Sequence, residues 1–363
     1  MHVVNRPRDA RVVKLRELFS VKFDNITKEW IFKVRIVARG DLEVDEEFVY
    51  APVANMPALR LFVVLSLEFG IDFRQLDISS AFLYGRLDHD IYVELPDGHP
   101  EKQGNTKVWK TRCALYGLQT APKVWNETID GFLRDFGLHP LVTESCMYVL
   151  MKKGRLALVV LLYVDDVLYT GDVDEIARFE KEIARRFDLK STTQATSYLG
   201  IDIAQNHRRG EVILSQPTYI KEAIERFKLQ DAKRVRTPLA TLANKPELTA
   251  PLLTDRRLYQ AMVGVLLYIN LTTRPDISYA VHFLTRYTAA PTQYHLSCAK
   301  RVLIYLRDTA HHGLIYRRDT NKDILCYVDS SIADAENRRS TYGYIISLGG
   351  NILQYKTRQE LFQ

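Results

Sequence analysis

The sequence predicts an α+β fold with helices and sheets segregated along the chain. Three observations carry that expectation. Apolar and charged residues alternate over 12–37, and strand-like stretches return over 314–355, as expected for half-buried strands. Between residues 217 and 307, apolar positions recur every three to four residues, the period of amphipathic helices. An apolar run, Leu156–Tyr163, is followed after two acids by a second, Val167–Thr170, as in a strand hairpin. With 363 residues, 47% of them hydrophobic, the chain can bury a sizeable core and is long enough for two or three domains.

In chain order, 12–37 reads as a twisted hairpin of basic strands turning at Asp24 and Asn25, followed by an acidic loop over 41–47. A helix spans 57–69, with Pro57 suited to its first turn. A strand follows over 73–78, then a Pro/Gly-rich loop over 95–104 and a helix over 121–135 opened by Ala121-Pro122. After the 156–170 hairpin come a helix over 174–187 and a second hairpin over 198–215, turning at 207–210. Helices are expected at 217–228, 257–272, 276–288 and 292–307, and strands from 314 to 355.

The formal charge is +6 at pH 7, and its placement is uneven. Residues 1–40 hold ten basic side chains against four acidic ones, and residues 286–318 hold six against Asp308 alone. Basic regions flanking a more acidic middle suit a cleft for a polyanion, since each cation near a phosphate releases counterions; solvated surface is the competing reading. Cys113, Cys146, Cys298 and Cys326 show no zinc spacing and read as buried thiols. The longest apolar run, Leu156–Val164, is far short of the ~20 residues that span a bilayer, and no signal peptide opens the chain, so no membrane association and an intracellular protein are expected.

Candidate chemistry centres on Asp165-Asp166, two adjacent acids inside an apolar hairpin. Buried neighbouring carboxylates lose hydration and repel one another unless a cation compensates. Mg²⁺ does so by taking carboxylate oxygens, with waters and phosphates completing its octahedron. Asp77 likewise ends an apolar run, and three converging carboxylates suit a two-metal site. An ordinary exposed turn is the other reading of Asp165-Asp166.

The surrounding motifs narrow the choice. Tyr163-Val164-Asp165-Asp166 resembles the YxDD motif of reverse transcriptases, and Gln75-Leu76-Asp77-Ile78-Ser79-Ser80-Ala81-Phe82-Leu83 resembles their QLDVxxAFL segment. Leu115-Tyr116-Gly117-Leu118-Gln119-Thr120-Ala121-Pro122-Lys123-Val124-Trp125 is similar to the LYGLKQAPRAW of copia-type long-terminal-repeat retrotransposons, and residues 32–40 to their YKARLVARG. Ala51-Pro52-Val53, Tyr198-Leu199-Gly200, Leu214-Ser215-Gln216 and Thr273-Arg274-Pro275-Asp276 match in the same order, so the resemblance covers about residues 5–356.

The resemblance implies an RNA-directed DNA polymerase with a right-hand fold of fingers, palm and thumb, a connection and a truncated ribonuclease H-like start. The implied domains are 1–230, 231–320 and 321–363. It implies Asp77, Asp165 and Asp166 as the catalytic triad holding two Mg²⁺ ions, Mn²⁺ being a possible substitute, with the carbonyl of Ile78 as a further metal ligand. Lys33, Arg35 and Arg39, alternating along one strand, are implied to clamp the triphosphate. Ala81, Tyr116 and Gly117 border the incoming nucleotide, with Phe82 as a steric gate whose alternative role is core packing. Tyr163, Lys221, Arg226 and Lys228 are implied to meet nucleic acid, and Lys190 is a candidate for protonating pyrophosphate, with plain surface as its other reading. The implied partners are an RNA template, a DNA primer or RNA–DNA hybrid, and dNTPs; oligomeric state is not legible. Family members suggest a cytoplasmic, virus-like-particle location with access to the nucleus.

Two departures stand out. Gln119-Thr120 replaces the family's usual Lys-Gln, so one expected cation is missing. Residues 327–334 and 338–344 resemble the opening of the tethered nuclease, with Asp329 as its first acid, but the segment that should bring the nuclease Glu is not in the sequence. The chain therefore reads as part of a longer polyprotein without ribonuclease H activity. The alternative functional reading is a catalytically decayed remnant that at most binds nucleic acid.

Overall fold

A computed structural model describes residues 2–23, 29–40, 50–102, 104, 106–240, 250–319, 321–331 and 340–359. The expected turn at Asp24 and Asn25 and the acidic loop at 41–47 lie outside them. Helices and sheets are mixed, and the chain folds as two compact units, one of residues 1–54 with 75–193 and one of 55–74 with 194–363.

The first unit is built on a six-stranded sheet. Its order is Leu189–Gln194, Arg74–Ile78, Asp166–Gly171, Arg155–Tyr163, Met147–Lys152 and His139–Pro140. The middle strands are almost wholly apolar, and Ala157 through Leu161 are fully buried, as expected of strands covered on both faces. Helix Ala121–Phe136 begins with Pro122 in its first turn, where the missing N–H costs nothing. Its Phe132 and Phe136 meet Phe179 of helix Val173–Arg186, which packs in turn on Tyr169 of the sheet. A four-stranded sheet joins His2–Asn5, Lys107–Cys113, Arg86–Glu94 and Val12–Val13. A separate ribbon pairs Leu15–Phe23 with Trp30–Ala38.

The second unit holds helix Met56–Phe69, whose N–H of Ala58 is capped by the Asn55 side chain. It also holds a four-stranded sheet (Ser197–Tyr198, Ile201–Asn206, Glu211–Ser215, Gly313–Arg317) and a three-stranded one (Ile324–Ser331, Thr341–Leu348, Asn351–Gln359). Helices Pro217–Arg226, Arg257–Thr272, Ser278–Thr285 and Gln293–Asp308 share one apolar core around Tyr259, Leu266, Ile269 and Val302. The helix expected at 276–288 is split: a 3-10 turn, Pro275–Ile277, precedes it, and it ends at Thr285. Buried Arg274 donates to both Asp276 and Thr309 there. Among the described residues no helix is long and apolar enough to cross a membrane. Cys146 and Cys298 are buried, whereas Cys326 is exposed on the outermost strand of its sheet, against the expectation for it.

Candidate active site

The site grows from the hairpin of Arg155–Tyr163 and Asp166–Gly171, in register Leu161 with Leu168 and Tyr163 with Asp166. That register corrects the expected turn. Val164 and Asp165 form the two-residue connection, while Asp166 opens the second strand. Val164 has φ 55°, an unusual conformation for a β-branched residue. The indole Nε1 of Trp125 donates to its carbonyl at 2.7 Å, and Trp125 is 1% exposed. The rings of Tyr84 and Phe187 flank that indole.

Strand Arg74–Ile78 lies beside the Asp166 strand and carries Asp77 next to its end. The backbone N–H of Ile78 donates to the Asp165 carbonyl at 3.1 Å, fastening the strand end to the turn. Asp77, Asp165 and Asp166 are thus brought to one end of adjoining strands. Asp166 accepts from Gln75 Nε2 at 3.3 Å. Burial pushes the Asp166 carboxyl above the usual carboxylate range; the Gln75 hydrogen bond opposes this, and the charges of Asp165 and Asp77 add to it. Lys190, on the neighbouring outer strand, places its Nζ 2.5 Å from Asp77 Oδ1.

Beyond Asp77 the chain passes Ser80, at φ 52°, into a 3-10 turn over Ala81–Tyr84. Ala81 is buried, and the Phe82 ring meets Tyr116 edge-on at 4.7 Å between centroids. Phe82 also packs against the small core formed by Val13, Ala38, Leu87 and Leu115. Tyr116 accepts through its carbonyl from the Ala38 N–H at 2.7 Å, and Gly117 accepts from Gly40 at 3.1 Å. Gly117 has φ 92°, and a Cβ there would stand 2.1 Å from the Ala38 oxygen, so only glycine fits this crossing. The Tyr116 hydroxyl is held above its ordinary pKa by burial first and then by the charges of Asp165 and Asp77, with Arg35 opposing.

Lys33 and Arg35 share one face of the ribbon, opposite Ser20 and Leu18. Arg39 lies one residue past the strand, which ends at Ala38, and its N–H donates to the Lys14 carbonyl at 2.8 Å. Lys33, Arg35, Ser80, Tyr116 and Lys190 line one cavity of about 400 Å³. Gln119, at the departure from the family pattern, donates to the Gly40 carbonyl at 2.9 Å. The missing cation is replaced by a neutral tether.

Of the remaining candidates, Tyr163 lies on the same hairpin and the others belong to the second unit. Tyr163 is half-buried and faces Asp166 across the hairpin. Lys221 and Arg226 are exposed on the helix Pro217–Arg226 of the second unit, and Lys228 lies beyond its end at φ 56°. Asp329 is exposed on Ile324–Ser331, with its Oδ1 accepting from the Ser330 N–H. It borders a cavity of about 460 Å³ in the second unit, lined also by Tyr279, Tyr327, Tyr342 and Tyr355. Lys356 also lines that cavity, whereas the cavity of the first unit is lined by three cations, one of which, Lys190, pairs with Asp77. Trp125 and Gln75 were missed as site residues although both stand inside quoted motifs; their roles depend on partners 39 and 91 positions away in sequence.

The three carboxylates are hard oxygen donors, the chemistry Mg²⁺ takes. Among the described residues no three acidic, His or Cys side chains stand close enough to hold an ion between them. The donor set fits in kind, with an ammonium already seated on Asp77.

The model of the reverse transcriptase (RNA-dependent DNA polymerase) family matches residues 1–241. The retrovirus-related Pol polyprotein of transposon TNT 1-94 from Nicotiana tabacum is 30% identical over 98% of this chain and 28% of its own length. That of transposon RE1 from Arabidopsis thaliana is 32% identical over 98% of this chain and 24% of its own. A Ty5-1 transposon protein of Saccharomyces cerevisiae is 32% identical over 78% of this chain and 92% of its own. The chain therefore spans about a quarter of the two Pol polyproteins. The crystal structure of a prototype foamy virus protease-reverse transcriptase covers 99% of the chain and 40% of its own at 12% identity and TM-score 0.33, too loose a likeness to bear on the fold.

Proposed function

From the premise that the chain belongs to the reverse transcriptase family, in its copia-type branch, we propose that it is an RNA-directed DNA polymerase extending a primer 3′-hydroxyl with deoxynucleotides. The observation that carries this reading is the meeting of Asp77, Asp165 and Asp166 at one strand end, beside a cavity lined by Lys33, Arg35, Tyr116 and Lys190.

In this reading Asp77, Asp165 and Asp166 hold two Mg²⁺ ions, or Mn²⁺, with the Ile78 carbonyl as a further ligand. Bound metal would activate the attacking hydroxyl and neutralise charge on the leaving phosphate oxygens. The protein's own residues do the placing. Trp125 fixes the turn that presents Asp165, and Gln75 orients the Asp166 carboxylate. Lys33, Arg35 and Arg39 meet the triphosphate as cations able to grip phosphate oxygens. Phe82, braced by Tyr116, bounds the sugar together with Ala81 and Gly117. Tyr163 lies toward the primer and template, while Lys221, Arg226 and Lys228 contact backbone phosphates. The fingers, palm and thumb, the connection and the ribonuclease H-like start follow the boundaries 1–230, 231–320 and 321–363. Asp329 is placed as its first nuclease-type acid, and no ribonuclease H activity is proposed. The implied setting is cytoplasmic particles with access to the nucleus.

The test is extension of oligo(dT) on poly(rA) by the purified chain. Incorporation of dTTP that requires Mg²⁺ or Mn²⁺ supports the reading. Hybrid binding with no incorporation in either ion would leave the decayed-remnant reading in its place.

A further inference from the structure

Lys190 stands where the carboxylate cluster and the cationic cavity adjoin. Its strand, Leu189–Gln194, runs along the outer side of the Asp77 strand. Two neighbouring contacts set its height: the Ser79 N–H donates to the Asp188 carbonyl, and the Asp188 N–H to the Tyr84 hydroxyl, both at 2.8 Å. The ammonium then lies 2.5 Å from Asp77 Oδ1, with both side chains part-exposed at 44% and 33%. The same side chain lines the cavity with Lys33 and Arg35. One cation is therefore shared between two places that each need positive charge.

We propose that Lys190 is the resident counter-cation of Asp77, which a divalent ion must displace on binding, and that the displaced ammonium then serves the cationic cavity beside it. This rests on the reading of Asp77 as a metal ligand. Three carboxylates at one strand end repel one another, and an ammonium in contact with one of them relieves that repulsion. A divalent ion offers the carboxylate more charge than an ammonium, so the exchange proceeds but costs the existing pair. Ion loading and cavity charge are coupled by that exchange, because the lysine released from Asp77 adds a third cation to Lys33 and Arg35.

The experiment titrates Mn²⁺ alone into the full chain and follows the electron paramagnetic resonance signal of the free ion, with far-UV circular dichroism to verify folding. Lys190→Gln should bind Mn²⁺ about five-fold more tightly than wild type, the scale of a part-exposed ion pair. Lys190→Arg should bind it more weakly, since a guanidinium grips a carboxylate at two points. Asp77→Asn should weaken binding whichever residue stands at 190. Unchanged or weaker binding by Lys190→Gln, with Asp77→Asn still losing the ion, overturns the proposal and leaves the metal site standing. Should Lys190→Gln fail to fold, Lys190→Arg decides, and equal or tighter binding there overturns the proposal. Unaltered binding in Asp77→Asn removes the metal-site reading and this inference with it.

Discussion

The indole N–H of Trp125 and the carbonyl of Val164 form a 2.7 Å hydrogen bond that joins the Ala121–Phe136 helix to the turn carrying Asp165. A valine at φ 55° is strained by about 1–3 kcal/mol, and a buried donor helps to hold it there. Trp125→Phe keeps most of the ring but leaves the carbonyl unpaired. It should lose about 1–3 kcal/mol of stability and lower primer extension more than binding of the hybrid. Urea unfolding and single-turnover extension measure the two effects. Full extension rates with reduced stability would make the bond purely structural.

Asp166 gives a pH signature. Its folded-state pKa is raised above the ordinary 3.8, chiefly by burial, so the folded chain holds that proton more tightly than the unfolded one. Ionising Asp166 therefore costs stability as pH rises from about 4 through the raised value, and the cost is absent below the unfolded pKa. Asp166→Asn should melt higher than wild type at pH 7, with the gap closing toward pH 3.5. Melting curves across that range check the sign. A gap that widens on acidification contradicts it.

Phe82 has two candidate roles, and its contacts allow both to be tested. It packs edge-on against Tyr116 and onto the Val13, Ala38 and Leu87 core. If it also bounds the sugar, Phe82→Ala should lower the preference for dNTPs over rNTPs roughly tenfold or more, besides losing stability. Lost stability with an unchanged preference would assign it to packing alone.

The basic residues predict a salt dependence. Binding of an RNA–DNA hybrid should fall linearly in log K against log salt, each phosphate contact adding roughly −0.7 to −0.9 to the slope. Fluorescence anisotropy over a salt series measures it. A flat line would make Lys33, Arg35, Lys221 and Arg226 ordinary surface.

Much of this architecture was legible because burial writes itself into sequence. The run from Leu156 to Tyr163 is apolar at every position and lies in mid-sheet, with Ala157 to Leu162 buried. The turn was misplaced by one residue for a physical reason. Aspartates favour turns and valine resists positive φ, so local chemistry nominates Asp165-Asp166, and the tertiary bond from Trp125 moves the turn to Val164-Asp165. The end of the basic strand was hidden in the same way. Alternation continues past Ala38 in the sequence, but the N–H groups of Ala38 and Gly40 pair with Tyr116 and Gly117, which ends the strand. Strand Arg86–Glu94 went unread because Asp88-His89-Asp90 breaks its apolar pattern, and the pairing is irregular between Arg86 and Ile91. Leu189–Gln194, the strand that carries Lys190, is polar along most of its length and gave no signal.

The central claim, that Asp77 and Asp165 act together in nucleotidyl transfer, is tested most directly by comparing dTTP incorporation on poly(rA)–oligo(dT) in Mg²⁺ by wild type, Asp77→Asn and Asp165→Asn. The wild-type chain should extend the primer, and each variant should fall at least about a hundredfold while keeping its fold and its affinity for the hybrid. Extension by either variant at the wild-type rate would contradict the account.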